Sequence, residues 1–393
     1  MTEVRPAPGY RSYLDHAATT PLRPEALEAM LPYLTVDFAN PSGAHAESRR
    51  SRVALDDARD RIAELLGTGP GEVVLTSGGT ESDDLAIQGG WDALSSELHG
   101  PGTVVCSAME HHAVLEACRA LAARTGADLR LVPSNPDGRV DLDALARACD
   151  SSVRLVSVMT VNNELGTVQP LEAVAEVVRR LAPTALLHTD AIQAVPWLDV
   201  ASVTAPADLV SVSAHKFGGP KGCGALVLRH GARVRPRISG GGQERGRRSG
   251  TPNVAGAVAT AAALTATVAG RDDDVARVAS LRDRLSCGLT SKMAGITESG
   301  RDADRVAGIL HLRIDGIESE ALVVLLDEAG IAASAGAACS SGAVEPSHVL
   351  TSMGLDAATA SSGVRFSLGV TTTDQDVDHA LERVPHVVER LRN

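Results

Sequence analysis

VRLVSVMTVNNELGTVQPLEAVAEVVRRLAPTALLHTD, residues 153–190, decides the fold class. It opens on an apolar run, VRLVSVMT (153–160), passes through an amphipathic helical pattern over 171–182, and closes on a second run, ALLHTD (185–190). Strands that read as continuous Val/Leu-rich runs are buried on both faces, and a helix between two of them argues for a parallel sheet. Outward from this unit the pattern repeats. EVVLTS (72–77), TVVCSA (103–108), LRLVP (129–133), DLVSVSA (208–214) and GALVLR (224–229) are further strands, with helices over 48–66 and 112–125. We therefore expect an α/β protein whose larger domain holds a mostly parallel seven-stranded sheet. Ligands in such folds bind at the carboxyl ends of the strands.

Beyond residue 237 the pattern changes. A Gly/Arg-rich segment, ISGGGQERGRRSGTPN (238–253), leads into an Ala-rich helix (254–270). A smaller α+β unit is expected after it: a helix over 272–290, a strand over 306–314, a helix over 318–329, a Gly/Ala/Ser loop over 333–344, and helices over 346–353 and 374–391. The division is thus 15–260 for the large domain, with 1–14 and 261–393 forming the small one.

Composition excludes several roles. At 44% hydrophobic and 22% charged the chain is an ordinary globular one. No apolar run of membrane-spanning length and no signal-peptide core is apparent, so no membrane role and a cytoplasmic location are expected. The net charge of −12, without a basic cluster, argues against direct nucleic-acid binding. The six cysteines show no CxxC pair and no zinc spacing, so no metal is expected. Cys106, Cys118, Cys149 and Cys223 read as small core residues. Basic charge is almost all arginine: the lysines are Lys216, Lys221 and Lys292. Chemistry that needs an amine has few candidates.

Three strand ends carry chemistry. TSGGTESDD (76–84) follows a strand and opens a helix, so Gly79 and Thr80 lie where backbone N–H groups can hold a phosphate; an ordinary capped Gly turn has the same look. HTDAIQ (188–193) puts Asp190 at a strand end, where a buried carboxylate can hold a protonated pyridine nitrogen, or merely cap a helix. SVSAHKFGGPKGCG (211–224) places Ser213, His215 and Lys216 after the next strand, and a buried lysine there can hold a carbonyl cofactor covalently. Lys221, inside the glycine turn, is the runner-up.

These motifs, with YLDHAATTPLRPEAL (13–27), NPSGAHAESRR (40–50), MEHHAVLEAC (109–118), VNNELGTVQP (161–170), GGGQERGRRSGT (240–251), AACSSGAVEPSHVL (337–350) and VRFSLG (364–369), resemble the cysteine desulfurase family. That family is NifS/IscS-like, of the class-V aminotransferase type, among the fold-type I pyridoxal-phosphate enzymes. The resemblance implies pyridoxal 5'-phosphate on Lys216, His111 stacked on its ring and moving protons, Asp190 at the ring nitrogen and Gln193 at the ring oxygen. Gly79, Thr80, Ser213 and His215 would hold the phosphate, joined by Thr251 of the partner in a homodimer. Asn163 would line the pocket, and Arg365 and Asn40 would bind the substrate carboxylate. His112 reads as structural.

Cys339 sets the activity. It stands in ASAGAACSSGAVEP (333–346), small residues with little to pack, read as a mobile loop. The resemblance implies conversion of L-cysteine to L-alanine, with sulfur taken by Cys339 as a persulfide and passed to an acceptor protein for iron–sulfur assembly, tRNA thiolation or DNA phosphorothioation. Rival readings are a selenocysteine lyase or cysteine-sulfinate-type activity, an aminotransferase and a non-catalytic sulfur-transfer platform. The sequence departs from the family pattern at Gly79, where Ala is commoner, at Asp83 and Asp84, where Asn is commoner, and at Val370, where a basic residue is frequent. Both acids are expected to face away from the phosphate.

Overall fold

A computed structural model describes residues 10–95, 100–336 and 346–393; Cys339 lies outside the described residues. The strands are β1 (Ser12–Tyr13), β2 (Val73–Thr76), β3 (Thr103–Ser107), β4 (Asp128–Val132), β5 (Val153–Ser157), β6 (Leu186–Asp190), β7 (Leu209–Ser213), β8 (Gly224–Leu228), β9 (Ile296–Glu298), β10 (Ile309–Ile314), β11 (Ile331–Ala332) and β12 (Gly363–Ser367). The seven runs expected as large-domain strands form one sheet, in the order β2-β8-β7-β6-β5-β3-β4. Its inner strands β3, β5, β7 and β8 are buried along their whole length, as apolar strands covered on both faces must be.

The pairing is parallel except at β8, which runs antiparallel to both β7 and β2. Hence β2 runs the same way as β7, and its carboxyl end opens on the same edge as those of β6 and β7. That reversal places the Gly78–Thr80 turn beside Lys216. The outer edge of β2 is covered: the Leu75 N–H donates to Glu244 Oε2, 2.9 Å away. Glu244 in turn pairs with Arg59 at 2.6 Å, both side chains largely buried.

Helices cover the sheet on both faces. The helix Leu171–Leu181 buries Leu171, Val174, Ala175 and Val178, one stripe at helical spacing. Arg179 and Arg180 occupy its last turn, where cations suit the helix dipole. The helix Gly79–Asp84 continues through a π-turn, Leu85–Gly89, into Gly90–Ser95. Cys106, Cys118, Cys149 and Cys223 are all buried, as expected.

The two helices expected at 254–270 and 272–290 are one, Val254–Lys292, 39 residues long. Gly270 lies inside it: a single interior glycine costs a helix about 1 kcal/mol, which packing outweighs. Its first part is apolar and long enough to cross a membrane, yet over half of that window is buried inside the protein; helices Pro24–Thr35 and Ala46–Leu65 pack along it.

Two small sheets complete the fold: antiparallel β12-β10-β9 and the parallel pair β1-β11. Through β1 the N-terminal segment joins the C-terminal part of the chain. It then passes between the sheets, with a bridge from Asp15 to Ser367 beside β12.

Candidate active site

A cavity of about 520 Å³ opens at the carboxyl edge of the large sheet, between it and β12. Lys216 enters from the 3-10 turn after β7, where Nζ donates to the carbonyls of Ala17 (2.6 Å) and Ala18 (2.8 Å). Burial, helped by the Arg365 charge, lowers its pKa to about 8, although Asp190 and Asp15 act the other way. A free amine is therefore accessible near neutral pH.

Asp190 ends β6, 5% exposed, and its Oδ1 accepts the Ile192 N–H at 2.8 Å. Burial raises its pKa to about 6, with the Ile192 N–H and Lys216 opposing. A buried acid of this kind suits a cationic ring nitrogen as its counter-ion. Gln193, three residues further, donates from Nε2 to the Ala17 carbonyl at 2.8 Å. The carbonyl of Ala17 thus ties the N-terminal segment to both Gln193 and Lys216.

The turn before the Gly79 helix is shaped for close approach. Gly78 has φ +147, which a side chain would strain, and a Cβ on Gly224 would lie 2.7 Å from the Gly78 Cα. A Cβ on Gly79 would sit 2.1 Å from Ile192 Cδ1. Ile192 fills the space, which explains glycine where the family pattern has alanine. Ser77, Thr80, Ser213 and His215 surround the open region in front of this turn, with Lys221 at its rim. His215 holds Thr19 Oγ1 at 3.1 Å. Amides at a helix start, hydroxyls and an imidazole are groups that could hold a phosphate.

His111 lines the cavity as the N-cap of the helix His112–Thr125, its Nδ1 accepting the Ala113 N–H at 3.1 Å. The ring proton of the neutral form is therefore on Nε2. The enclosing protein, with Lys216 and His112, His348 and Arg365 around it, lowers its pKa to about 4. A neutral ring is what stacking or proton shuttling requires. His112 also lines the cavity, its ring 4.7 Å from that of His348.

Arg365 reaches in from β12. Its NH2 group pairs with Asp15 at 2.7 Å, NH1 donates to the Asn163 carbonyl at 2.9 Å, and the buried Nε–H has no partner among the described residues. Asp15 was not among the residues the sequence singled out. Nothing in YLDHAATT marks it apart from its neighbours; the bridge to β12 does.

Gly79, Thr80, His111, Asn163, Asp190, Gln193, Ser213, His215, Lys216 and Arg365 therefore converge on one cavity. Asn40 and Thr251 do not line it. Asn40 is exposed, its Oδ1 accepting the Ser42 N–H, and Thr251 is exposed on this single chain. The Gly/Arg segment packs on its own chain: Arg248 pairs with Glu81 at 2.8 Å, and Arg247 donates to the Gly71 carbonyl. Val370 lines a neighbouring cavity rather than that of Arg365.

The expectation for the two acids needs correction. Asp84 does face outward, to Arg237 at 3.1 Å. Asp83 faces inward: it is fully buried and lines the cavity with Asp190. Residue 83 begins the second turn of its helix, which directs it back under the sheet edge rather than to solvent.

The family model Aminotransferase class-V matches residues 12–380. The IscS-like cysteine desulfurase of Mycobacterium tuberculosis (strain ATCC 25618 / H37Rv) is 44% identical over 97% of each chain. A solved structure titled NIFS-LIKE PROTEIN superposes with TM-score 0.89 at 32% identity, covering 97% of this chain and 100% of that one. A second, SspA in complex with cysteine, gives TM-score 0.77 at 31% identity over 92% and 100%. With the fold, the lysine–aspartate pair and the motif order all in agreement, the chain belongs to the class-V aminotransferase family and, within it, to the cysteine desulfurases.

Proposed function

We propose that the chain takes sulfur from L-cysteine, releases L-alanine, and carries the sulfur on Cys339 as a persulfide. The observation that supports this best is the pairing of a low-pKa Lys216 with buried Asp190 in a cavity that also receives Arg365. The residues present fit pyridoxal phosphate. The buried Asp190 carboxylate suits a pyridinium nitrogen, Gly78 and Gly79 put no side chain in the way of a phosphate, and Lys216 offers an amine. When bound, that cofactor supplies an electron sink for the substrate's α-carbon.

Each residue then has a task. Arg365 receives the substrate carboxylate where its guanidinium lines the cavity, while the Asn163 carbonyl holds NH1. Lys216 Nζ takes the α-proton; His111 donates a hydrogen bond from Nε2–H to the reacting sulfur, and takes up the thiol proton only in the other tautomer, which gives up the Ala113 N–H. The Cys339 thiolate attacks the substrate sulfur; the carbon–sulfur bond breaks, and its electron pair takes up a proton at the β-carbon, giving alanine. Sulfur, thiolate and charge balance without an outside oxidant. Ser334, Gly336 and His348, the described residues on either side of Cys339, line the cavity. A homodimer that brings Thr251 to the neighbouring phosphate, a cytoplasmic location, and an acceptor protein for the sulfur belong to the same reading. So does the division into 15–260 and 1–14 plus 261–393, with the junction inside the long helix.

The test is mass spectrometry of the Cys339 peptide after addition of L-cysteine, with alanine measured in parallel. The wild type gains one sulfur atom on that peptide. If Cys339→Ala releases alanine and sulfide at the wild-type rate, the role given to Cys339 is wrong.

A further inference from the structure

Beneath Asp190 lies a carboxyl group that the reaction above does not use. Asp83 is fully buried, neither of its oxygens has a hydrogen-bond partner among the described residues, and it lines the cavity together with Asp190. The nearest ring nitrogen, His188 Nε2, is 3.6 Å from Oδ1. His188 gives no counter-charge: it is fully buried, and burial alone lowers its pKa to about 3. It sits instead in a neutral polar row, with Ser157 Oγ 2.8 Å from Nδ1 and Ser211 Oγ 3.0 Å from Nε2.

The other groups facing Asp83 are the Ser211 hydroxyl, which favours the ionised form but is outweighed by burial and the Asp190 charge, and Asp190, Glu110 and Cys118, none of them cationic. Glu110 is itself buried, with one oxygen accepting the Met159 N–H and the other unpartnered. Asp190 is compensated by the Ile192 N–H and by Lys216; Asp83 has neither. A carboxylate taken out of water without a partner costs several kcal/mol and takes up a proton instead. Burial and the Asp190 charge both push Asp83 well above the usual carboxylate range. Two neighbouring buried carboxyls then share one negative charge.

We propose that Asp83 is a positioning residue for the ring-nitrogen end of the cofactor site, standing as a neutral carboxylic acid behind Asp190. It leaves Asp190 the single anion there and offers an O–H to the Ser211–His188 row. This rests on the cofactor reading above. One negative charge, rather than two, opposes the ring nitrogen, and the residues under Asp190 keep a donor that fixes their orientation. Asparagine, frequent at this position in the family pattern, is the neutral isostere with an N–H in place of the O–H.

The test compares the wild type with Asp83→Asn, Asp83→Leu, Asp190→Asn and Lys216→Ala, each loaded with pyridoxal phosphate. The readouts are the cofactor dissociation constant, the pH midpoint of the visible band, and the infrared difference between wild type and Asp83→Asn. Asp83→Asn is expected to keep the wild-type midpoint and dissociation constant, and the difference spectrum to show the loss of one protonated-carboxyl stretch. Asp83→Leu, which offers no hydrogen bond, is expected to weaken cofactor binding about fivefold. A midpoint moved by Asp83→Asn as far as by Asp190→Asn shows an ionised Asp83 and overturns the proposal. So does an Asp83→Leu protein indistinguishable from the wild type. A wild-type protein without a visible band, or a band unchanged in Lys216→Ala, sinks the cofactor reading itself. Should Asp83→Leu fail to fold, the Asn variant and the infrared band decide alone.

Discussion

Capture of pyridoxal phosphate by Lys216 in the cofactor-free protein is expected to follow pH with a midpoint near 8. The perturbation is pH itself, and the magnitude comes from the lysine's surroundings. Burial and the nearby Arg365 cation lower its pKa from 10.5 to about 8. At pH 7.5 roughly a quarter of the amine is then free, against about 0.1% for an ordinary lysine. Only the free amine attacks a carbonyl, so the capture rate should rise about fifteenfold between pH 6.5 and 8 and level off above about 9. The assay is stopped-flow growth of the visible band under excess cofactor. A rate that keeps climbing tenfold per pH unit through pH 9.5 would mean that the Lys216 pKa is unperturbed. Stability provides a second check. The unfolded chain binds the extra proton between the folded and unfolded pKa values, so the cofactor-free protein gains stability as pH rises from about 8 to 10.5. Lys216 contributes at most about 3 kcal/mol to that gain.

Three further outcomes follow from the geometry. Arg365→Ala removes a guanidinium bound to Asp15 and Asn163 and the donor proposed for the substrate carboxylate; kcat/KM for cysteine should fall by about 3 kcal/mol, roughly a hundredfold. Arg365→Lys, which cannot form the fork, should recover little of that in steady-state assays. Glu244→Ala strips the partner from the largely buried Arg59 and from the Leu75 N–H; it should destabilise the protein by about 3 kcal/mol. A melting temperature equal to that of the wild type would show that the β2 edge does not need its cover.

The seven large-sheet strands and their strand-end chemistry were legible because both are written in short windows. An apolar run marks a buried strand, and a Lys, Asp or Gly turn directly after it stands at the sheet's carboxyl edge. The Ala-rich run and the region after Gly270 were less legible. Local signals there allow a break, and the continuity of Val254–Lys292 depends on the helices lying along it. Asp83 and Asp84 show the limit most clearly. Adjacent and chemically identical, they differ by about 100° of helix rotation, which sends one to Arg237 and buries the other beside Asp190.

Residue type and spacing along one strand–turn unit were enough for the fold class and for setting Lys216 and Asp190 at strand ends, with their roles implied by resemblance. Only the tertiary structure decided what those groups face. The antiparallel β8 turns β2 so that its glycine turn meets Lys216. The N-terminal segment, some 200 residues away in sequence, supplies the carbonyls that hold Nζ. The bridge from Asp15 to Ser367 seats an anion on Arg365. Such contacts join positions far apart in the chain, and their charges and burial set the protonation states on which the chemistry depends.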